Sequence, residues 1–286
     1  MTDAFLHYGK NTYVMGILNI TPDSFSGDGL LVKGDFIQAA LEQANRFIAA
    51  GAKILDIGGE STRPGSRPVS IAEELERVLP VIKALAQQNA EVLLSVDTYK
   101  ADVAEAALQA GAHWINDVWG LRADPHMANI VASAGVPVVL MHNRSKPNQV
   151  HLQERLGGQY LGAHYEDLLE DVKRELLESV TIAHTAGVCD GQIILDPGLG
   201  FGKTVKQNLE LINRLDEIKA LGYPVLLGPS RKSFIGYTLD LPPDQRIEGT
   251  AAVCTIGIAR GADILRVHDV ESIVRIARMT DAIVRQ

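Results

Sequence analysis

A short pattern returns along almost the whole chain: an alanine-rich helical end, a glycine, then a brief run of strand formers. It reads AAGAKILDIGG around Gly51, QAGAHWINDV around Gly111 and ASAGVPVVLMH around Gly135. It returns as TAGVCDGQIILD at Gly187, ALGYPVLLG at Gly222 and ARGADILRVH at Gly261. Each glycine stands where a helix C-cap favours a left-handed residue. Each following run is apolar throughout, as expected of a parallel strand covered on both faces. With YVMGILNI (Tyr13 to Ile20) and EVLLSVD (Glu91 to Asp97), the pattern predicts eight strands. The segments between them carry helical periodicity. Leu75, Val78, Leu79, Ile82 and Leu85 share one face of a helix over Ser70 to Leu85, with Ser70 and Glu73 as a capping box and Pro80 as a kink. Val270, Ile273, Val274 and Ala277 repeat the pattern near the C-terminal end. Eight strand–helix units over 286 residues predict an α/β fold, a closed (βα)8 TIM barrel. An open doubly wound sheet is the alternative, since repetition alone does not prove closure. No linker, low-complexity tract or charge block divides the chain. Residues 1–286 therefore read as a single domain with 1–12 as an N-terminal extension.

In such a barrel the chemistry belongs at the C-terminal ends of the strands, and polar residues gather there. Strand one ends at Asn19, strand two at Asp56, strand three at Asp97, and strand four at Asn116 and Asp117. Strand five ends at His142 and strand six at Asp196. Strand seven leads to Ser230, Arg231 and Lys232, and strand eight carries Arg266 and His268. A lone aspartate at a strand end is most often a helix cap. Eight polar strand ends together are costly to desolvate unless they bind something. Carboxylates and an amide suit a ligand with several N–H donors on one edge. Arg63, Arg231, Lys232, Arg266 and His268 supply cations for an anion, and the amides opening a helix near Asp269 add to that. An aromatic polar heterocycle bearing a phosphate chain fits both halves.

Other chemistries fit less well. Gly198 to Thr204 (GLGFGKT) has part of a P-loop, but its first glycine falls on Pro197, which has no amide to offer phosphate. No Rossmann fingerprint follows any strand. Lys53 and Lys232 are poorly placed for a Schiff base inside the barrel. The net charge of −8 and the lack of a basic stripe argue against a nucleic-acid partner. No apolar run reaches eighteen residues and no secretory signal opens the chain, which predicts a cytoplasmic protein without a membrane partner. Cys189 and Cys254 read as two buried thiols in a reducing compartment.

Several stretches then resemble one family, dihydropteroate synthase. They are NITPDSFSGDG (Asn19 to Gly29), GGESTRPG (Gly58 to Gly65), SVDT (Ser95 to Thr98), IND (Ile115 to Asp117), DPGLGFGK (Asp196 to Lys203), SRKSFIG (Ser230 to Gly236) and RVHDV (Arg266 to Val270). They occur in family order over almost the whole chain. In one place the chain departs from the family: FSGDG stands where FSDGG is usual, which displaces the acid to Asp28. Pterin-binding methyltransferases share the barrel and part of the Asp/Asn cradle, but SRKS and the first two loops count against them. A paralogue that binds pterin without catalysis is the non-enzyme alternative.

The resemblance implies a monofunctional transferase of folate biosynthesis. It would condense 6-hydroxymethyl-7,8-dihydropterin pyrophosphate with 4-aminobenzoate, giving 7,8-dihydropteroate and pyrophosphate. By the same resemblance Asp97, Asn116 and Asp196 bind the pterin edge, Lys232 reaches its carbonyl and ring nitrogen, and Arg266 lies on its face. Arg266 and His268 hold the pyrophosphate, Thr62 touches the leaving group, and Asn19 helps coordinate Mg2+. Lys232, Arg266 and Asn19 carry the catalysis. Phe25, Arg63, Pro64, Phe201 and Ser233 build the 4-aminobenzoate pocket, which sulfonamides imitate. A homodimer is the family's usual assembly.

Overall fold

The computed structural model describes residues 6–21, 35–61, 66–88, 91–146, 150–153, 155–160 and 163–285. In chain order the elements begin β1 (Tyr13–Asn19), α1 (Asp35–Ala50), β2 (Ile54–Gly58), α2 (Ile71–Gln88), β3 (Leu93–Asp97), α3 (Ala101–Gln109), β4 (Trp114–Asp117), α4 (Met127–Ala134) and β5 (Val138–Met141). They continue β6 (Val150–Gln153), β7 (Gly157–Tyr160), α5 (Leu168–Ala186), β8 (Ile193–Asp196), α6 (Val205–Asn213), α7 (Leu215–Lys219), β9 (Leu226–Leu227), α8 (Ser233–Leu239), α9 (Ile247–Ala259), β10 (Ile264–Val267) and α10 (Val270–Val284).

Eight strands pair in parallel in the order β8-β5-β4-β3-β2-β1-β10-β9. A parallel bridge between Leu195 and Val225 joins the two ends, where the Leu195 N–H donates to the Pro224 carbonyl at 2.9 Å. That closure settles the barrel over the open sheet. The rhythm that predicted it is visible in the backbone: Gly51, Gly111, Gly135, Gly187, Gly222 and Gly261 all have positive φ.

Two features were not foreseen. The chain leaves β5 through an antiparallel hairpin, β6 with β7, before entering α5. The seventh barrel strand, β9, spans only two residues. Ser70 does cap α2, accepting the Glu73 N–H at 3.2 Å, but Glu73 turns its carboxylate to Arg77 instead of closing the box. The helix runs on through Pro80. Val78, Ile82 and Leu85 of its expected face are fully buried, and Leu75 and Leu79 pack against the same core.

The interior has its own layer. Met15, Ile54, Leu93, Trp114, Val139, Ile194, Leu226 and Ile264, one from each barrel strand, form a cluster separate from the larger sheet–helix core. Side chains alternate along a strand with period two. The next inward positions after this apolar floor are therefore Asp56, Ser95, Asn116, Asp196 and Arg266 on five strands, with Ile17, Met141 and Gly228 on the other three. Two residues further on come Asn19, Asp97 and His268. An apolar floor thus carries polar layers towards the C-terminal end of the barrel.

Candidate active site

Asp56 is the hub of the first polar layer. It is fully buried, and its Oδ2 accepts from Arg266 Nε at 2.5 Å and from Asn116 Nδ2 at 3.0 Å. Arg266 Nη2 donates to Asp97 Oδ2 at 2.5 Å. One guanidinium thus lies between two buried carboxylates. Burial alone would lower the Arg266 pKa, but Asp56 and Asp97 outweigh it and the value is raised. For Asp97 burial pushes the carboxyl upward, Arg266 pulls it down and Asp56 pushes it up again, leaving it above the ordinary carboxylate range. Among the described residues Asp56 Oδ1, Asp97 Oδ1 and Ser95 Oγ are buried without a hydrogen-bond partner. Buried acceptors left open are expensive, so a ligand rich in N–H donors is the chemistry this layer is built to receive.

The opposite wall comes from the segments after β8 and β9. Asp196 Oδ1 accepts the Gly198 N–H at 2.7 Å, and burial raises its pKa against the pull of the Lys232 ammonium. Lys232 Nζ donates to the Leu199 carbonyl and lies 4.6 Å from the centre of the Phe201 ring. Burial brings its pKa down to about 8, against the pull of Asp196 and Asp97. Ser233 follows at the start of α8. The His268 N–H donates to Ser230 Oγ at 3.1 Å, and its Nδ1 lies 3.0 Å from the same oxygen.

Asp97, Asn116, Asp196, Lys232 and Arg266 therefore lie around one end of the barrel, as expected, with Phe201 against Lys232. Asn19 and His268 end their strands at the same mouth. Phe25, Thr62, Arg63 and Pro64, together with Asp28, lie outside the described residues. The stems flanking residues 62–65 are pinned, since Lys100 Nζ donates to Glu60 Oε2 at 2.5 Å, to the Val69 carbonyl at 2.7 Å and to Glu74 Oε2 at 2.5 Å.

Three other expectations need correction. Arg231 is not available to an anion: its guanidinium pairs with both carboxylate oxygens of Asp269. Asp117 and His142 end strands but serve structure. Asp117 accepts the Trp119 and Leu121 N–H groups, each at 2.8 Å, and His142 meets Lys203 and Glu175 behind the barrel. Cys254 is buried, but Cys189 is exposed, because it precedes the turn into β8 and not the strand itself. At the level of sequence Asp56 is only a polar strand end with no role assigned, and Ser95 is missed. Their signal was parity: each stands two positions after an apolar floor residue.

The whole barrel from Met15 to His268 matches a family model described as pterin binding enzyme, residues 15–268. The dihydropteroate synthase of Bacillus subtilis is 51% identical over 281 residues, covering 98% of this chain and 92% of that protein. The crystal structure of dihydropteroate synthase from Clostridium difficile in the presence of pteroic acid superposes with a TM-score of 0.88 at 48% identity, covering 98% of this chain and all of that one. The Xanthomonas albilineans dihydropteroate synthase with 4-aminobenzoic acid gives a TM-score of 0.86 at 42% identity, covering 96% of this chain and 93% of that one. Sharing about half its residues with such proteins along nearly its full length, the chain belongs to the pterin-binding enzymes, within the dihydropteroate synthase family.

Proposed function

We infer that the chain condenses 6-hydroxymethyl-7,8-dihydropterin pyrophosphate with 4-aminobenzoate, releasing 7,8-dihydropteroate and pyrophosphate. The observation that carries this reading is the polar layer of Asp56, Asp97, Asn116, Asp196, Lys232 and Arg266 in a barrel of that family. The open buried acceptors of Asp97 and Asp56 suit the pterin's amino and ring N–H groups, with Asp196 on the far side. Lys232 exchanges the Leu199 carbonyl for the pterin carbonyl and ring nitrogen. The planar Arg266 guanidinium, held at both ends by carboxylates, offers a face for the ring and, with His268, charge for the pyrophosphate.

The C–O bond to pyrophosphate breaks with its electron pair going to the leaving group, and the aromatic amine nitrogen forms the new C–N bond. The amine then loses one proton, and an anilinium is acidic enough to give it up without a dedicated base. No residue need act as a nucleophile. Orientation, charge opposite the departing anion and exclusion of competing water supply the rate. Phe201 and Ser233, beside Lys232, form the described part of the second-substrate pocket. Thr62 at the leaving group, and Phe25, Arg63 and Pro64 at the amine, complete the proposed assignments.

Mg2+ belongs to the same proposal. Among the described residues no three His, Cys, Asp or Glu side chains group as a metal cage. That donor set fits an ion that arrives on the pyrophosphate and asks the protein for one or two oxygens. Asn19, ending β1 beside Gly58 of β2, is the residue that would hold it. When bound, the ion neutralises charge on the leaving group.

No helix among the described residues is long and apolar enough to cross a membrane. A cytoplasmic location accords with two unpaired cysteines. A homodimer is supported by apolar side chains left in solvent on two adjacent helices: Ile256 on α9 at 47% exposure, and Met279 and Ile283 on α10 at 64% and 60%.

Purified protein incubated with the pterin pyrophosphate, Mg2+ and labelled 4-aminobenzoate should yield labelled dihydropteroate and pyrophosphate. Pterin binding without product would mark a non-catalytic paralogue. Methyl transfer from a reduced folate would mark the methyltransferase reading.

A further inference from the structure

Behind the Phe201 loop lies a second lysine that the mechanism does not use. Lys203 is 2% exposed. Its Nζ donates to the Gly198 carbonyl at 2.9 Å and to the Phe201 carbonyl at 3.1 Å, and lies 2.9 Å from His142 Nδ1. Burial holds the Lys203 pKa well below its ordinary value, against the pull of Asp196, and the amine meets three polar partners with its three hydrogen-bonding directions. His142 is neutral, and its Nε2 is buried 3.0 Å from Glu175 Oε2 without forming a hydrogen bond. Burial and the neighbouring Lys203 both favour that neutral ring, holding its pKa down at about 3. Glu175 is anchored in turn by Arg144 through Nε at 2.8 Å. Arg144, Glu175, His142 and Lys203 thus succeed one another from α5 to the underside of the loop.

The loop's amides are held by Asp196 at Gly198, by Asn208 Oδ1 at Gly200 (2.6 Å) and by the Gly198 carbonyl at Phe201 (3.1 Å), while its carbonyls turn to lysines. Gly198, Gly200 and Gly202 alternate through it at φ +69°, +75° and +66°. At Gly198 the chain presses so close to β5 that a Cβ would come within 1.8 Å of the His142 carbonyl oxygen. Its carbonyls are shared between two lysines: Gly198 and Phe201 point to Lys203, and Leu199 to Lys232. Lys232 must release Leu199 if it is to bind the pterin, so the loop loses one of its two lysine contacts at the moment the second substrate needs Phe201 in place.

We propose that Lys203 is a positioning residue for the second substrate, its buried amine holding the Gly198 and Phe201 carbonyls so that the Phe201 ring keeps its place when Lys232 turns to the pterin. The inference rests on the proposed reaction and on Phe201 lining the 4-aminobenzoate pocket. A merely structural lysine would, on removal, damage both substrate sites together. A positioning lysine damages one.

Steady-state kinetics with each substrate varied in turn separate these cases. Lys203→Met should raise KM for 4-aminobenzoate by about tenfold or more, with KM for the pterin pyrophosphate within about threefold of wild type. His142→Leu, which strands one N–H of Lys203, should move in the same direction. His142→Gln should match wild type, because its amide oxygen can accept from Lys203 while its NH2 faces Glu175. If Lys203→Met does not fold, the contrast between His142→Leu and His142→Gln decides alone. An unchanged 4-aminobenzoate KM in Lys203→Met and His142→Leu, or equal rises in both KM values, would overturn the proposal. Wild-type turnover beside unaffected variants would sink this inference alone, whereas absence of wild-type turnover would sink the proposed reaction and this inference with it.

Discussion

Replacing Arg266 by methionine tests the electrostatic design of the barrel mouth through stability, independently of turnover. The side chain is only 20% exposed and its partners Asp56 and Asp97 are 0% and 7% exposed, so its removal leaves two buried carboxylates facing each other without their cation. Breaking a buried pair in this way costs roughly 3–5 kcal/mol. Unfolding entropy near 2.1 cal/mol/K per residue amounts to about 0.6 kcal/mol/K over this chain, so Tm should fall by about 5–8 °C at neutral to mildly alkaline pH. The deficit should depend on pH, with a definite sign. Asp97 already has a folded pKa above its unfolded value, and Arg266 is what pulls it down. For such a carboxyl, stability is greatest below the unfolded pKa and is lost as pH rises through the folded pKa. Without Arg266 the folded pKa rises further and the loss deepens. The difference in Tm between wild type and Arg266→Met should thus be largest near pH ~8 and shrink by half or more near pH ~5, where Asp97 takes up a proton. Differential scanning fluorimetry of both proteins across that range measures it. An equal deficit at both ends would show that lost packing, and not uncompensated charge, is what the arginine prevents.

Three further outcomes are expected. Asp196→Ala should weaken pterin binding in calorimetry by roughly 2–5 kcal/mol, and near wild-type affinity would remove Asp196 from the pterin site. In kcat/KM for the pterin substrate, the alkaline limb should fall near pH 8, where Lys232 loses its proton; Lys232→Arg should carry that limb to higher pH, and an unmoved limb would assign it to another group. Gly198→Ala, forced to keep a positive φ with its Cβ against the His142 carbonyl, should lose more than about 1 kcal/mol in denaturant unfolding, and full stability would contradict the close approach of that loop to β5.

The barrel could be read from the sequence because its signals are local. A glycine after a helix and a short apolar run need no knowledge of distant partners, and all six of those glycines have the backbone that the pattern demanded. The site was legible in part for the same reason, since Asp97 and Asp196 close their strands and Asn116 stands one residue before the end of its own. What local pattern cannot resolve is which of two neighbouring polar residues turns inward. Asn116 joins Asp56, while Asp117 caps the turn that follows. His142 and Lys203 meet across 61 positions and Arg266 and Asp56 across 210, so their pairing exists only once the ring has closed. Arg231 looked like a free cation for the same reason: its partner, Asp269, opens a helix 38 residues later. The β6–β7 hairpin escaped notice because its strands are four residues each with a single buried position between them, and so lack an apolar run.

The way the ring closes has a mechanical consequence. Neighbouring strands β1 and β2 share five register pairs, whereas among the described residues β8 meets the β9 side through the single Leu195–Val225 bridge. This seam lies between the two strands whose following segments carry Phe201 on one side and Lys232 with Ser233 on the other. With only two register pairs joining β9 to β10 on its other side, the barrel can shear at this seam at the cost of about one backbone hydrogen bond, roughly 0.5–1.5 kcal/mol. The compliance is therefore concentrated beneath the two segments proposed to hold the second substrate, and the wall formed by β2, β3 and β4, proposed to hold the pterin, does not have to move with them.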